Sequence, residues 1–441
     1  MADFDVNTSR LFRPDRQKYE RSAMKFTRTL ALAILLMTET GSGAQLLPSV
    51  GDALDMSRGA SEERLGGVLG QADLDRLSPA RLADRLMETR DARIRALLNQ
   101  HSDRIELDDR REPARRGVIL LTGAAATSVE ALRKAGYGIE NEFVEGLGLS
   151  VTRLAVPQGR NLARALKQVR SIAPEAQPSA DNLYFPSGTA PMSVTSGAAH
   201  LAGGGFAKGR LAGLIDGGVA RHPSLSGPIE QRGFARGSPR ASAHGTAVAS
   251  LISGTGTIQG AAPGAALLVA DVYGDDPAGG GAFAIARALG WMAARGVDVT
   301  TVSLVGPDNP LLAGAIRLAK SKGVTVVAAV GNDGPAAPPA YPASYPEVIA
   351  VTGIDGRGRL LPEAGRARHI DFAAPGADMN AARSDGGKGR VRGTSFAAPL
   401  VAGRLLTAGS LKALMAEATH PGKADRRLGR GIICGRCRNL D

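Results

Sequence analysis

From residue 210 onward, apolar runs rich in β-branched residues alternate with stretches of helical periodicity. The runs RLAGLI, ALLVADV, VDVTTVSL, VTVVAAV and EVIAVTG predict strands, while FAIARALGWMAAR and LLAGAIRLAKS predict helices between them. Apolar strands separated by helices of ten or more residues are typical of a parallel sheet with helices on both faces. We therefore expect an α/β domain over residues 206–433, with its chemistry at the carboxyl ends of the strands.

A different pattern occupies residues 117–186. GVILLTG predicts a strand, SVEALRKAG a helix, IENEFVEG and LSVTRLAVP two strands, NLARALKQVRSI a helix, and EAQPSADNLYFP a final extended piece. This β-α-β-β-α-β order predicts a small α+β domain with the ferredoxin-like arrangement. Residues 187–205, which are poor in charge and rich in Gly, Ser, Ala and Thr, predict a flexible linker that is easily cut.

The segment from residue 24 to residue 44 has the three parts of a secretory signal peptide. Lys25 and Arg28 precede the apolar run 30–37, and the small residues SGA follow before Gln45. The apolar run is too short for a stable membrane anchor. We therefore expect export to the periplasm or the extracellular space, with a translocated chain that begins at Gln45.

Two further N-terminal stretches flank this segment. Residues 1–23 are polar and form either a long charged leader or a non-native extension, and we favour Met24 as the true start. Residues 45–115 are polar and rich in Arg, and LSPARLADRLMETRDARIRALLNQH predicts an amphipathic helix that begins near Ser78. We interpret residues 45–115 as a solvated helical connector.

Charge and cysteine content change this picture little. The formal net charge of the 441-residue chain is +12, but its basic residues are spread along the sequence without interleaved aromatics, so we expect no nucleic-acid partner. The C-terminal tail 434–441 carries CGRC, in which Cys434 and Cys437 suit a small local disulfide. A redox motif would need a βα context, and a zinc site would need two more ligands.

Three candidate chemical groups stand at predicted element boundaries. Asp216 ends the strand in LAGLIDGGV, His244 opens the helix in AHGTAVASLISG, and Ser395 lies at the start of the helix in RGTSFAAPLVAG. The free N–H groups at such a helix start suit an oxyanion. Each motif alone is weak evidence, because acidic and hydroxyl residues are common helix caps. Their order along the chain, Asp, His and then Ser, is that of the subtilisin type of triad.

Over residues 206–433 the chain resembles the subtilisin-like serine peptidases, the subtilases. IDGGVARHPSL resembles the family's Asp motif, HGTAVASLISG its His motif, AAVGNDG its oxyanion motif and GTSFAAPLVAG its Ser motif, and FAAPG at 372–376 matches as well. The resemblance implies catalytic roles for Asp216, His244 and Ser395 and an oxyanion role for Asn332. The ferredoxin-like unit resembles the inhibitory propeptide that precedes many such enzymes.

The resemblance implies a secreted, monomeric serine endopeptidase that acts on polypeptides and is made as a self-processing precursor inhibited by its own propeptide. No cofactor is needed for that chemistry. The family often binds structural calcium, but the sequence has no dense acidic loop and we assign no ligands. The alternative is a catalytically silent binding protein with a subtilase fold.

Two departures from the family pattern bear on specificity. Where the family shows Asn-x-Ser-Leu-Gly at the edge of the substrate cleft, residues 301–305 read TVSLV, so that Ser303, Leu304 and Val305 are the expected substrate-binding residues. Val305 replaces a glycine, which predicts a narrowed primary pocket and a small residue before the cut bond. Arg392 is unusual beside the Ser motif, and we expect it at the cleft rim. Self-cleavage is expected within residues 184–205.

Overall fold

The structure, a computed structural model, describes residues 78–187, 211–420 and 425–440. Three predicted segments lie outside these ranges: residues 1–23, the signal peptide at 24–44, and residues 188–205 of the linker. The same holds for residues 45–77 of the predicted connector.

The first described elements run from residue 79 to residue 182. Their bounds are α1 Pro79–Gln100, β1 Ile105–Leu107, β2 Pro113–Thr122, α2 Ala126–Lys134, β3 Gly138–Val144, β4 Leu149–Ala155, α3 Leu162–Ile172 and β5 Gln177–Asn182. The five strands form an antiparallel sheet in which β5 pairs with β2 on one side. On the other side, β1 and β4 pair with successive parts of β2, and β3 lies outside β4. This is the ferredoxin-like order expected from the hydrophobic pattern.

Alternate residues of β2 belong to two different hydrophobic cores. Ile119 and Leu121 belong to the domain's own core, which α3 completes, whereas Val118 and Leu120 belong to the core of the larger domain that follows. Successive strand residues point to opposite faces. The small sheet therefore buries one face on its own helices and the other on its neighbour.

β6 Phe185–Pro186 ends the small domain, and the larger domain follows after residue 210. Its elements are β7 Leu211–Asp216, β8 Ile229–Gly233, α4 Ala243–Ser253, β9 Ala266–Asp271, α5 Ala282–Ala294, β10 Val299–Val302, β11 Leu304–Val305, α6 Pro310–Ser321, β12 Thr325–Ala329, β13 Ile349–Ile354, β14 Phe372–Pro375, β15 Met379–Ala382, β16 Lys388–Val391, α7 Ala397–Ala408 and α8 Leu411–Glu417. Seven strands pair in parallel, in the order β14-β13-β12-β10-β7-β9-β8. The buried residues of α5 and α6 join the core on one face, and those of α4 and α7 join the core on the other. The predicted α/β class is thus confirmed.

The small and large domains approach each other closely at α5. A Cβ atom on Gly146 would lie 1.8 Å from the carbonyl oxygen of Gly290, and a Cβ on Gly290 would lie 2.3 Å from a methyl of Val144. Side chains at either glycine would separate the two backbones, so both positions need glycine for this contact.

The C-terminal tail packs on the larger domain. Ile433 is buried in the core that contains α4 and α7, and the sulfurs of Cys434 and Cys437 are bonded to each other. Among the helices of the described ranges, none is both long and apolar enough to cross a membrane.

Candidate active site

Asp216 is the last residue of β7, at the carboxyl end of a central strand of the parallel sheet. Its side chain is 1% exposed, and its Oδ1 accepts a hydrogen bond of 2.7 Å from the Gly217 amide. A carboxylate buried this deeply needs further partners to offset its lost hydration. The neighbouring helix supplies one.

His244 is the second residue of α4, whose start is capped by Ser242. The Ser242 hydroxyl accepts from the Gly245 amide at 2.9 Å, which fixes the first turn of the helix. The His244 Nδ1 lies 3.0 and 2.9 Å from the two carboxylate oxygens of Asp216. A carboxylate at Nδ1 holds the proton on that nitrogen and leaves Nε2 able to accept one.

Ser395 lies in a tight turn, Thr394–Phe396, that leads into α7. Gly393 precedes it with φ 138°, a value that favours glycine. The ring centroid of Phe396 lies 5.5 Å from that of His244, so the serine and the histidine are neighbours. Ser395 Oγ and His244 Nε2 are both buried, and neither has a hydrogen-bond partner within the part of the chain that the structure describes. A nucleophile and its base often join only when substrate is aligned for reaction.

The backbone amide of Ser395 donates a 3.1 Å hydrogen bond to the carbonyl oxygen of Ser187. Asn332 is held beside this amide, because its Oδ1 accepts from the Thr394 amide at 3.0 Å. The Thr394 hydroxyl also donates to the Gly331 carbonyl at 3.1 Å. Two potential donors to one oxygen, the Ser395 amide and the Asn332 side chain, are thereby brought from distant parts of the sequence to one place.

The chain that ends the small domain fills the cleft as an extended strand. In it, β6 pairs antiparallel with β11, placing Phe185 opposite Val305 and Pro186 opposite Leu304. The amide and hydroxyl of Ser187 both lie 3.2 Å from the Ser303 carbonyl oxygen. A peptide that adds a strand to an exposed edge in this way has its backbone held by main-chain hydrogen bonds.

Tyr184 immediately precedes β6 and anchors the extended segment through contacts with residues outside β11. Its amide donates to the Gly280 carbonyl at 2.9 Å, and its carbonyl accepts from the Tyr273 hydroxyl at 2.7 Å. Its own hydroxyl donates to the Pro307 carbonyl at 2.7 Å. The Tyr184 side chain is fully buried, so it is a major anchor of the extended segment.

Two of the three expected substrate-binding residues have further contacts in the cleft. The Ser303 hydroxyl donates to the Ser395 carbonyl at 2.9 Å and so joins the strand edge to the serine segment. Val305 faces the loop 331–334 that contains Asn332, because a Cβ atom on Gly331 would lie 3.3 Å from a Val305 methyl. A branched side chain therefore stands where a glycine would leave space.

Helix α1 differs from the solvated connector that we expected. Arg93 donates to Asp333 Oδ1 at 3.0 Å, and Arg90 lies between Glu112 and Asp333, at 3.0 and 3.5 Å. A Cβ on Gly334 would lie 2.7 Å from a methyl of Leu86. One face of the helix therefore packs on the loop that contains Asn332. The amphipathic pattern predicted the helix, but no local pattern identifies a partner 240 residues away along the chain.

Arg392 also differs from its expected position at the cleft rim. Its side chain is 19% exposed and pairs with Glu363, whose side chain is 9% exposed. Nη2 donates to Oε2 at 2.9 Å, and Nε lies 2.7 Å from Oε1 as a second ion-pair contact. The buried Glu363 carboxylate attracts the Arg392 guanidinium toward the interior, where the two charges compensate each other.

A second buried carboxylate lies beside Asp216. Asp271 ends β9 directly opposite Asp216 in the register, and its oxygens accept from the amides of Arg240, Tyr273 and Gly274. Burial raises the pKa of Asp271, with the negative charge of Asp216 acting in the same direction. In the described ranges, no group of three or more His, Cys, Asp or Glu side chains is arranged to hold a metal ion.

An aspartate at the end of a strand in a parallel α/β sheet, with a histidine and a serine at the starts of two helices, is the arrangement of the serine peptidase class of site. Comparison with known proteins agrees. Residues 207–419 match the Subtilase family. Subtilisin BL from Lederbergia lenta is 34% identical over 43% of this chain and 72% of its own length. The chain belongs to the subtilase family.

Other relatives show how far the likeness extends. The major intracellular serine protease of Bacillus subtilis is 36% identical, but the chain spans only 53% of its length. The crystal structure of fervidolysin from Fervidobacterium pennivorans, described as a keratinolytic enzyme related to subtilisin, aligns with 73% of this chain and 60% of its own at 19% identity and a TM-score of 0.59. The epidermin leader peptide processing serine protease of Staphylococcus aureus aligns with 73% of this chain and 97% of its own at 18% identity and a TM-score of 0.56. These two structures support the fold.

Proposed function

We propose that this chain is an exported serine endopeptidase, made as a precursor that cuts itself between Ser187 and Gly188. The observation that carries the proposal is the hydrogen bond from the Ser395 amide to the Ser187 carbonyl. An oxyanion hole binds the carbonyl oxygen of the bond to be cut, so a carbonyl held there identifies that bond.

The proposed reaction uses an Asp216, His244 and Ser395 triad. Ser395 Oγ attacks the carbonyl carbon while His244 Nε2 takes its proton, and Asp216 stabilises the resulting imidazolium. The Ser395 amide and the Asn332 side chain stabilise the oxyanion. Collapse of the tetrahedral intermediate breaks the C–N bond, and His244 returns the proton to the leaving amine. Water then hydrolyses the acyl-enzyme by the same proton transfers.

The cleft geometry supports self-cleavage without a partner molecule. The strand β6 is held on β11 and Ser187 on Ser303, so the bond after Ser187 is positioned before any diffusion step is needed. The residue before that bond is a serine, whose small side chain agrees with the narrowed primary pocket expected from Val305. A preference for small residues at this position is therefore part of the proposal.

After cleavage, the small domain and α1 are proposed to stay bound as an inhibitor. The new carboxyl end at Ser187 would occupy the site as a product does. The small sheet remains packed on α5, and α1 covers the loop at Asp333. Activity toward added polypeptides then depends on the loss of this segment.

Mass measurement of the purified chain tests the proposal. Wild-type protein expressed in a host without extracellular proteases should yield a fragment that begins at Gly188. Ser395→Ala should remain one uncut chain, because the nucleophile is missing while packing changes by a single oxygen, and His244→Ala should behave alike. Ser321→Ala, which changes an exposed serine at the end of α6, is the matched control and should be cut normally. Equal processing of Ser395→Ala and the wild type would contradict the proposal.

Export is the second part of the proposal, and it rests on the segment 24–44. We expect the translocated chain to begin at Gln45 and to remain in the periplasm or leave the cell. N-terminal sequencing of fractionated cells measures this. Residues 1–23 still attached to exported material would contradict the start at Met24.

The alternative, a silent subtilase-fold binding protein, makes an opposite prediction for covalent labelling. A fluorophosphonate reacts with an activated serine, so processed wild-type protein should be labelled at Ser395 and Ser395→Ala should not. Wild-type protein that is neither cut nor labelled would favour the binding protein. We expect polypeptide substrates, a monomer, no nucleic-acid partner and no cofactor.

A further inference from the structure

We infer that Arg392 and Glu363 form a positioning pair that holds the two halves of the oxyanion hole at a fixed separation. This inference rests on the proposed function. The two halves are the loop 331–334, which contains Asn332, and the segment 393–395, which supplies the Ser395 amide. They meet only through tertiary contacts, since 58 residues, 335–392, separate the loop from the segment along the chain.

A second loop bridges the two halves, and its backbone is joined to the oxyanion loop twice. The Gly334 amide donates to the Glu363 carbonyl at 3.0 Å, and the Gly365 amide donates to the Gly331 carbonyl at 2.7 Å. These bonds lie on either side of Asn332 in the sequence. Residues 363–365 and the oxyanion loop therefore move as one piece.

The same bridging loop is joined to the serine segment by a side-chain pair. Arg392 immediately precedes Gly393 and pairs with Glu363 through two contacts of 2.7 and 2.9 Å. Two close contacts between a planar guanidinium and a carboxylate restrain both distance and orientation, which a single point charge does not. Because both side chains are largely buried, the pair is little weakened by water.

One direct link also joins the halves, through Thr394, which donates to the Asn332 side chain and to the Gly331 carbonyl. Gly393 lies between that link and Arg392 with φ 138°, and its amide donates to the Gly376 carbonyl at 2.8 Å. With the Arg392 pair on the other side of Gly393, the serine segment is held on both sides. Loss of the pair leaves the donors present but less well aligned, which is costly because stabilisation depends on donors aimed in advance.

Steady-state kinetics on a peptide substrate test the inference, with the enzyme that forms by self-cleavage of the full chain and has been freed of the segment that ends at Ser187. For Arg392→Met we expect kcat to fall about 10- to 100-fold, with KM changed by less than about threefold. A peptide aldehyde, whose adduct carries an oxygen into the hole, should lose affinity in parallel with kcat/KM. Arg392→Lys, which keeps the charge without the fork, should lie between Arg392→Met and wild type.

A double variant separates positioning from simple stability. Arg392→Met leaves the Glu363 carboxylate buried and unpaired, so its melting temperature should fall. Adding Glu363→Met removes that charge and should restore the melting temperature but not kcat. Arg404→Met breaks a bidentate pair with Glu417 between α7 and α8 and should leave kcat within about twofold of wild type.

Three results would overturn the inference: an unchanged kcat in Arg392→Met, a loss confined to KM as expected of a rim residue, or recovery of kcat together with stability in the double variant. Failure of the proposed function looks different. In that case the wild-type chain itself neither cleaves peptide nor reacts with a fluorophosphonate.

Discussion

The two sheets of this chain are buried in different ways. The seven-stranded parallel sheet has its own helices on both faces, and its central strands, such as β7 and β12, are mainly apolar and buried. The small antiparallel sheet covers one face with its own helix α3 and leaves the other to α5 of the large domain. A sheet whose second face is apolar needs that cover to be stable in water. The packing of the small sheet on α5 therefore contributes to the stability of the small domain. The large sheet is covered on both faces by its own helices and does not need this packing.

The two sheets also differ in what their buried carboxylates contact. Asp216 of the large sheet binds a histidine, whereas Asp181 of β5 accepts from the Phe283 amide at 3.0 Å, at the start of α5. Burial raises the pKa of Asp181, although Arg115 beside it acts in the opposite direction. One carboxylate is arranged for chemistry and the other for docking on a helix start. Substitutions in each region should separate the two roles.

The largest effect is expected for Asp216→Asn. An amide cannot stabilise the imidazolium of His244, so the rate of self-cleavage should fall by about 10⁴-fold while the fold is kept. Appearance of the fragment that begins at Gly188, followed over time by mass, measures the rate. Asp181→Asn is the control, and the peptidase activity of its processed form should equal wild type. A rate for Asp216→Asn within tenfold of wild type would contradict a division of roles.

The next largest effect is expected for the residue that enters the cleft. Ser187→Phe should slow self-cleavage by about 10- to 100-fold, because a phenyl ring does not fit beside the Val305 methyls. Combining it with Val305→Gly should restore much of the rate, since space opens next to Gly331. The two rates are compared by the time course of precursor loss. A normal rate for Ser187→Phe alone would show that Val305 does not narrow this pocket.

A smaller effect is expected at the contact between the two sheets. Gly290→Ala places a methyl 2.3 Å from Val144 and should destabilise the uncut Ser395→Ala precursor by about 1–3 kcal/mol. Gly314→Ala is a matched helical glycine on α6, with no atom within 4 Å of the added carbon, and should be neutral or stabilising by up to about 1 kcal/mol. Urea unfolding measures both. Equal effects would mean that the small sheet does not depend on this close approach.

The smallest effect is expected for Asp333→Asn, which weakens the contacts of Arg90 and Arg93. These pairs are partly exposed, so their loss should cost about 0.2–1 kcal/mol of α1 docking and decrease at high salt. Hydrogen exchange of the α1 amides in the Ser395→Ala precursor measures the change. If Asp333→Asn leaves the hydrogen-exchange protection of the α1 amides unchanged at low salt, then the apolar contacts of Leu86 and its neighbours are sufficient to hold the helix.

Local pattern in the sequence was sufficient to predict much of this protein. The alternation in GVILLTG and the helical period in NLARALKQVRSI predicted β2 and α3 to within a few residues, because periodicity follows directly from which side of an element is buried. The four separated motifs around Asp216, His244, Asn332 and Ser395 likewise predicted residues that the structure brings to one edge of the large sheet. Val305 was identified as the residue that departs from the family pattern.

Only the tertiary structure decided which distant side chains meet. Arg392 reads as a charge on a surface loop, and its pairing with Glu363 depends on how two loops outside β13 and β16 are placed. Helix α1 reads as a solvated amphipathic helix, yet its basic residues reach Asp333. Likewise, nothing in the composition of the linker shows that the Ser187 carbonyl accepts from the Ser395 amide. Periodicity records burial within one element, whereas such pairings depend on relative positions of elements that only the assembled sheets define.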